Sequence, residues 1–482
     1  MANVKSNLKY STIYQIVAIL TPLLISPYIA RILGAEGIGK YAYAYSVAYY
    51  VSLFIKLGVE NYGNRLIATV RGNFVELSTE FWGVFVLQLF CGCICSIVYL
   101  IYSFFVAEDR ILALIMYGVL LSNSIDVTWF FYGLEEIKSI VFRDILLKLV
   151  STLLILYFVR EGSDIWIYST IMSLGFLVTQ VVLWPQLLKK VKFTRVRVEN
   201  IVKHIKPNIV LFVPVIAISI YKIMDKIMLG IMSTKTEVGY YESSEKIVKV
   251  PMAFIIALGT VMLPHMSNII TKGKFSTNKV NDIIIKSEQF VIALSSLLAF
   301  GIMAVAKEFV PLFYGEGFEK CVYLYYLLLP SCIFLAFANV IRTQCLLPMQ
   351  KDKEYIISLF VGALVNLIVN LLAIPKLHSI GAAIGTLAAE FSVCIAQTVT
   401  VIKIIPIKEI LNKTLGYIVV SVGMFIIGLS FGIEKSLGML SMKIVFLGLY
   451  WTIASFFYFV IVNRLTIREA INELIYIKKG GC

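Results

Sequence analysis

The chain consists largely of long apolar runs that are separated by short polar connectors. A helix that crosses roughly 30 Å of hydrocarbon needs about 20 apolar residues. Cutting the chain at its charged connectors therefore predicts an all-α, polytopic membrane protein with about 14 transmembrane helices. The predicted helices cover residues 8–33, 42–68, 81–106, 111–134, 140–159, 165–187, 205–230, 247–270, 287–306, 322–347, 355–374, 380–402, 414–433 and 440–462.

Positive charges are distributed unevenly among the connectors. Lys and Arg concentrate around residues 188–206, 272–286, 351–353 and 403–413 and in the tail after residue 463, whereas the alternate connectors carry only scattered cations. The positive-inside rule assigns the richer set to the cytoplasm. Because the number of crossings is even, both termini are predicted to be cytoplasmic.

Composition narrows the class of protein further. Of the 482 residues, 59% are hydrophobic and only 15% are charged, whereas roughly a quarter of the residues in a soluble domain are charged. This excludes a soluble enzyme, a disordered chain and a disulfide scaffold. The net charge is +14, but most of the cations lie in connectors, so nucleic acid is not expected as a partner.

Neither a metal nor an organic cofactor is expected. The chain has 8 Cys and 3 His, and no pair of cysteines combines zinc-ligand spacing with a nearby His. Cys91, Cys93 and Cys95 lie inside one apolar helix, where small buried packing residues are the expected interpretation.

Two short patterns recur about 200 residues apart, which indicates an internal duplication. A Gly-x-Tyr sequence follows the first predicted helix at Gly39 and returns after the seventh at Gly239. A second pair of similar positions is Asn123 with Asp126 and Asn339 with Arg342. Since an even number of crossings separates the repeats, their pseudo-two-fold axis is predicted to lie along the membrane normal.

The predicted organisation follows from this duplication. It comprises a six-helix lobe over residues 1–187, a basic cytoplasmic linker over 188–204, a second six-helix lobe over 205–402, and two additional helices with a cytoplasmic tail over 403–482. Two lobes that face one another across a cleft suggest transport by alternating access.

Several predicted helices contain charged residues, which cost about 2.5–3.5 kcal/mol each at the centre of a helix in a bilayer and therefore usually face protein or water. Unpaired cations lining a cleft would attract an anion, for which pyrophosphate is the favoured identity. The candidate substrate-binding residues are Arg31, Lys56, Lys222, Lys226 and Arg342. The competing interpretations are self-neutralising structural pairs, such as Lys56 with Glu60 at i,i+4, and snorkelling of Arg31 or Lys226 to the headgroups.

Acidic residues in the same helices allow a second role. Glu60, Asp126 and Asp225 could bind a coupling proton or Na⁺, or could merely balance the charge of neighbouring cations. The sequence does not separate these two interpretations.

Several short sequence blocks occur in an order and spacing that cover most of the chain. The blocks are PYIARILG at 27–34 with GIGKY at 37–41, DVTWFFYGLE at 126–135, DKIMLG at 225–230 with VGYY at 238–241, and GAAIGT at 381–386. Together they resemble the blocks of the bacterial O-antigen and capsule repeat-unit flippases, in the multidrug, oligosaccharidyl-lipid and polysaccharide exporter superfamily.

The resemblance implies two six-helix bundles and a place in the bacterial cytoplasmic membrane. It further implies translocation of an undecaprenyl-pyrophosphate-linked oligosaccharide for cell-surface polysaccharide synthesis, with a polysaccharide polymerase as a candidate partner. Arg31, Asp126, Asp225 and Lys226 are the positions that match the family pattern. The last two predicted helices depart from the usual twelve and resemble those of lipid II flippases.

Three other functions remain open at this stage. A lipid II flippase and a multidrug or cation antiporter belong to the same superfamily, although a cation carrier should favour acidic or apolar cavity walls. A membrane polymerase or glycosyltransferase would need a base or carboxylates at an aqueous face. The outward connectors are short and His265 and His378 are isolated, so the chain is not expected to be an enzyme.

Overall fold

The structure is a computed structural model that describes residues 2–272, 277–432 and 436–463 together with residue 469. All regular elements within these ranges are helices. The predicted all-α class is therefore confirmed. The basic residues predicted for the cytoplasmic tail, Arg464, Arg468, Lys478 and Lys479, lie outside the described residues.

The chain divides into two compact units, Met1–Ser243 and Ser244–Cys482. The sequence-based boundaries of the two six-helix lobes remain a prediction. In the first unit the helices are α1 Ala2–Lys56, α2 Val59–Val70, α3 Phe74–Phe105, α4 Arg110–Ser124, α5 Thr128–Gly133, α6 Ile137–Phe158, α7 Ile165–Val181, α8 Trp184–Leu187, α9 Val198–Val202 and α10 Ile205–Met232.

Helix α11, Lys235–Lys272, begins in the first unit and continues in the second. The other described helices of the second unit are α12 Thr277–Tyr314, α13 Lys320–Leu328, α14 Ser331–Ile341, α15 Asp352–Leu377, α16 Ser379–Val401, α17 Ile407–Ser430 and α18 Leu437–Val462. A short π-helical segment, Arg342–Leu346, follows α14 directly.

Within the described residues, 12 helical stretches are long and apolar enough to cross a membrane. The first, Leu20–Val70, covers parts of two predicted crossings. Another predicted crossing corresponds to α6, which has 22 residues but contains Lys138, Arg143, Asp144 and Lys148. The chain is therefore a multi-pass membrane protein with 12 to 14 long apolar helices, in agreement with the sequence pattern.

Several helices that the hydropathy pattern predicts as continuous are broken. Helix α1 changes direction at Gly34, where φ is +63° and a side chain would be strained. The crossing predicted over 42–68 is interrupted at Leu57, a non-glycine residue with φ of +47°. The crossing predicted over 111–134 is likewise divided between α4 and α5. Interrupted transmembrane helices place polar groups at mid-membrane depth. The residues beside these breaks are therefore candidates for the functional site.

An aromatic cluster holds the interrupted helices of the first unit in place. Phe81 and Phe85 of α3 stack on one another, and Phe81 also stacks on Trp129 of α5 with ring centroids 5.5 Å apart. A Cβ atom on Gly63 of α2 would lie 2.4 Å from the Trp129 ring, so only glycine fits at that position. Close packing on small residues is the usual way in which transmembrane helices associate.

The last two helices belong to the core of the second unit. Met424 of α17 and Leu447 of α18 are buried in one cluster with Ala304 of α12. Beside this cluster, Lys443 of α18 donates a hydrogen bond to Glu308 of α12 over 2.7 Å, and both side chains are buried. This buried ion pair, in which each charge has its partner, joins α18 to the rest of the second unit.

Candidate functional site

Lys56 is the last residue of α1 and lies beside the break at Leu57. Its Nζ atom lies 2.6 Å from Glu60 Oε1 and 2.6 Å from Asp126 Oδ2. The side chain of Asp126 is 2% exposed, that of Lys56 is 19% exposed, and that of Glu60 is 63% exposed. One ammonium group is therefore shared between a buried carboxylate and a carboxylate at the surface of the unit.

Asp126 occupies the gap between α4 and α5. Its Oδ1 atom accepts hydrogen bonds from the backbone N–H of Thr128 at 2.8 Å and from the Thr128 hydroxyl at 2.7 Å. An Asp that accepts a backbone N–H two residues later forms a local turn, which starts α5. The other oxygen is left for Lys56.

Gln88 of α3 supports this gap from behind. Its Nε2 atom donates to the backbone carbonyls of Asn123, Ser124 and Asp126 at 2.9, 3.2 and 2.9 Å. Its Oε1 atom accepts from the indole N–H of Trp129 at 3.2 Å. Carbonyls at the end of a helix lack partners within the helix, and in an apolar environment each one left unpaired would be costly. Gln88 thus stabilises the conformation that presents Asp126 to Lys56.

The expectation that Lys56 is an unpaired cation is wrong. Asp126 and Glu60 both neutralise it, and the i,i+4 pair with Glu60 that the sequence allowed is confirmed. Counting formal charges, the three residues sum to −1 in this conformation. A buried ammonium group is tolerated in an apolar unit only when it is paired. The carboxylate of the distant α4–α5 gap provides that partner.

A second polar cluster joins α10 and α11 within the first unit. Lys226 Nζ lies 2.8 Å from Glu242 Oε2, and the hydroxyl of Tyr241 donates to Asp225 Oδ2 over 2.8 Å. Asp225 and Lys226 are buried, whereas Lys222 is exposed. Lys226 is therefore also paired, contrary to the expectation of unpaired cations.

A column of tyrosines on α1 connects the two clusters. Tyr41, Tyr45 and Tyr49 follow one another at successive turns, with ring centroids 5.9 and 5.7 Å apart. Tyr45 lies within electrostatic reach of both Lys56 and Lys226. The sequence signal for this column is the tyrosine-rich segment at 41–50, which the charge-based search did not consider.

The remaining predicted cations lie elsewhere. Arg31 is exposed on α1. Arg342, in the second unit, opens the π-helical segment, donates a hydrogen bond to Asn339 Oδ1, and lies 5.9 Å from the centroid of the Tyr355 ring. π-Helical turns are often found at functional sites. The geometry thus joins Lys56, Glu60 and Asp126 in one cluster and Asp225 and Lys226 in another.

No group of three or more His, Cys, Asp or Glu residues in the described part of the chain is arranged to hold a metal ion. The carboxylates of the two clusters instead face Lys or Tyr, so their contacts are ion pairs and hydrogen bonds.

Residues 4–270 match the family model described as polysaccharide biosynthesis protein. The chain belongs to this family. The chain also resembles other proteins at low identity: it is 24% identical over 395 residues to the "Putative O-antigen transporter" of Escherichia coli strain K12, covering 80% of this chain and 94% of the relative. It is 23% identical over 231 residues to the "Probable low-salt glycan biosynthesis flippase Agl15" of Haloferax volcanii, covering 48% of each.

One solved structure resembles most of the chain. The lipid II flippase MurJ in an inward closed conformation superimposes with a TM-score of 0.62 at 15% sequence identity, covering 94% of this chain and 98% of that one. At this identity the likeness establishes the fold. The family resemblance that the sequence blocks indicated is confirmed by the family match.

Proposed function

We propose that the protein is a flippase that moves a lipid-linked oligosaccharide from the inner to the outer leaflet of the bacterial cytoplasmic membrane. The family match supports a role in polysaccharide biosynthesis. The Escherichia coli relative, which the chain covers over 94% of its length, is named for O-antigen transport. Undecaprenyl pyrophosphate is the carrier lipid that we assign, with a polysaccharide polymerase as the partner that uses the translocated units.

The observation that carries the proposal at the residue level is the position of Lys56 between two unequal carboxylates. Asp126 is fixed by Thr128, whereas Glu60 is 63% exposed and accepts no hydrogen bond from a described residue other than Lys56. An incoming phosphate oxygen can replace Glu60 without disturbing Asp126. Lys56 therefore offers a site for the anionic head of the substrate that remains satisfied when no substrate is bound.

The tyrosine column beside the Lys56 site is suited to binding the sugars of the substrate. Tyrosine combines an apolar ring with a hydroxyl that both donates and accepts hydrogen bonds, which suits a ligand with apolar faces and hydroxyl edges. The column starts one turn after Gly37 and ends two turns before Lys56. Lys226, within electrostatic reach of Tyr45, is a second candidate contact for phosphate, and Arg31, Lys222 and Arg342 are further candidates.

Alternating access requires an energy source, and we propose exchange with a proton or Na⁺. Among the predicted residues, Asp126 and Glu60 balance the charge of Lys56, and Asp225 accepts from Tyr241. Charge balance is the role that these contacts favour for Asp126 and Glu60, whereas Asp225 stays a candidate for binding the coupling ion. A lipid II flippase is the second candidate function, because the likeness to that fold extends over 94% of the chain.

The first prediction separates substrate binding by Lys56 from a structural role. In a strain that lacks its own copy of the protein, Lys56→Gln should reduce surface polysaccharide by about tenfold or more, the cost of a lost hydrogen bond to a charged group. Glu60→Gln should retain transport because the substrate displaces that carboxylate. Membrane protein level is measured alongside by quantitative immunoblotting.

A double variant makes the test decisive. Lys56→Met with Asp126→Asn removes both charges of the buried pair, while the new amide oxygen can still accept from Thr128, so the start of α5 is kept. We expect normal protein level with no surface polysaccharide. Restored transport in this variant would show that the pair is purely structural. Lys413→Gln, which removes a surface i,i+4 pair with Glu409, serves as the control that should leave both measurements unchanged.

A further inference from the structure

The second unit contains a carboxyl group that the sequence analysis did not consider. Glu288 lies on α12 and its side chain is 0% exposed. Neither of its carboxyl oxygens has a hydrogen-bond partner among the described residues. No Lys, Arg or His nitrogen within the described ranges lies within ion-pair distance of it.

The same helix offers an internal comparison. Glu308 is also buried on α12, but Lys443 approaches it to 2.7 Å. A buried carboxylate that lacks such a partner costs several kcal/mol, whereas a neutral carboxylic acid is desolvated at far lower cost. Glu308 therefore has a cation from α18, whereas no described Lys, Arg or His nitrogen pairs with Glu288, so charge balance by protonation is the remaining way to hold Glu288.

The surroundings of Glu288 contain two thiols and a second buried carboxyl. The thiols of Cys345, in the π-helical segment, and Cys394, on α16, lie within its electrostatic reach, and Cys394 is also within reach of Glu390 on α16, a group that cannot neutralise a carboxylate. Gln344 precedes Cys345, and Gln397 lies one turn after Cys394. The side-chain oxygens of both glutamines are buried and have no hydrogen-bond partner among the described residues. Amide oxygens can accept a hydrogen bond from a protonated carboxyl but cannot neutralise a carboxylate.

We propose that Glu288 is a proton-binding site that is occupied in this conformation and that releases its proton to water when the second unit opens. The reaction is a simple dissociation of the carboxylic acid, with the proton transferred to water that enters the opened site. Because the closed form holds one more proton than the open form, a rise in pH favours opening. One released proton changes the opening equilibrium by at most about tenfold per pH unit.

The protonation state can be measured directly on the purified full chain. Infrared difference spectra at neutral pH should contain a carbonyl band of a protonated carboxylic acid that disappears in Glu288→Gln and shifts in Glu288→Asp. Glu308→Gln should leave this band unchanged. An identical band in wild type and Glu288→Gln would overturn the proposal, and so would displacement of the band by Na⁺ at constant pH. Glu288→Asp preserves the carboxyl and provides the test if the amide variant does not fold.

The link to conformation requires a second measurement. Genetically encoded nitroxide amino acids at the exposed positions Phe290 and Ile395 report the distance between α12 and α16 without altering the cysteines. The open population should rise with pH in wild type, rise with a displaced midpoint in Glu288→Asp, and be independent of pH in Glu288→Gln. A pH response that persists in Glu288→Gln would assign the proton to another group.

Discussion

Gln88 illustrates how much a single side chain contributes to the break between α4 and α5. Its amide nitrogen satisfies three backbone carbonyls, and its oxygen satisfies the indole of Trp129. Among neutral side chains, only Gln and the shorter Asn combine an NH₂ donor with a carbonyl acceptor. Gln88 therefore supports the polar gap together with the indoles of Trp184 and Trp129, which donate to the carbonyls of Ile125 and Asp126.

The prediction at this position concerns stability. Gln88→Leu should destabilise the protein by about 1–3 kcal/mol, because carbonyls that remain buried lose their donor. Thermal unfolding of the detergent-purified protein measures the loss. Gln186→Leu, at an exposed position, is the control that should leave the unfolding temperature nearly unchanged. An unchanged unfolding temperature in the Gln88→Leu variant would mean that water or another group replaces the amide.

At the residue scale the sequence singled out the charges within apolar helices and the i,i+4 pair of Lys56 with Glu60, but not the contact of Lys56 with Asp126. Lys56 and Asp126 were identified separately, since any charge within an apolar helix attracts attention. Their contact was not predictable because 69 intervening residues and a helix break separate them. Gln88 was missed because it is neutral, and Glu288 because it lies close to the polar end of its predicted helix.

At the scale of helices, the most specific packing is a reciprocal crossing of α1 and α11. A Cβ atom on Gly39 would lie 1.6 Å from the backbone oxygen of Lys235, and one on Gly239 would lie 1.8 Å from that of Ala35. Each glycine thus meets the residue four positions before the other. The two Gly-x-Tyr sequences that suggested a duplication therefore pack against one another within the first unit.

This crossing predicts non-additive substitutions. Gly39→Ala and Gly239→Ala should each destabilise the protein by about 1–3 kcal/mol, because the methyl group meets backbone that cannot rotate away. The double variant should cost less than the sum, since a single separation of the helices accommodates both methyl groups. Thermal unfolding measures all three. Gly448→Ala, a helical glycine with no atom within 4 Å of its added Cβ, is the control. Strict additivity would contradict a shared contact.

The apolar runs predicted the positions of most helices correctly but did not reveal their interruptions. A break inside an apolar run leaves the mean hydropathy unchanged, so the pattern contains no signal for it. Gly58 is apparent in the sequence, but the packing that requires a glycine there is not. A Cβ atom at this position would lie 2.3 Å from the backbone oxygen of Asn208 on α10. Such close approaches depend on tertiary packing.

At the scale of the whole molecule, membrane orientation is the property that the distribution of cations predicts. Fusions of alkaline phosphatase after Gly162 and Gly317 should be active, and fusions after Arg197 and Lys408 should be inactive, because the phosphatase matures only outside the cytoplasm. Green fluorescent protein at the same positions should give the opposite pattern. Activity after Arg197 would reverse the assignment of both termini. The all-α class and the presence of 12 to 14 long apolar helices were accessible from the sequence, because both follow from the length and apolar character of the runs.

The π-helical segment at Arg342–Leu346 has a consequence for how the family can vary. Such a segment holds one residue more than a regular helix would over the same rise. Deleting one residue there would restore ordinary winding, keep the helix before the segment in place and move each following residue of the segment by one position. Cys345, and with it the lining beside Glu288, would then face a different neighbour. A single codon lost at this point would therefore exchange the side chains that line one wall of the second unit while leaving composition and hydropathy almost unchanged.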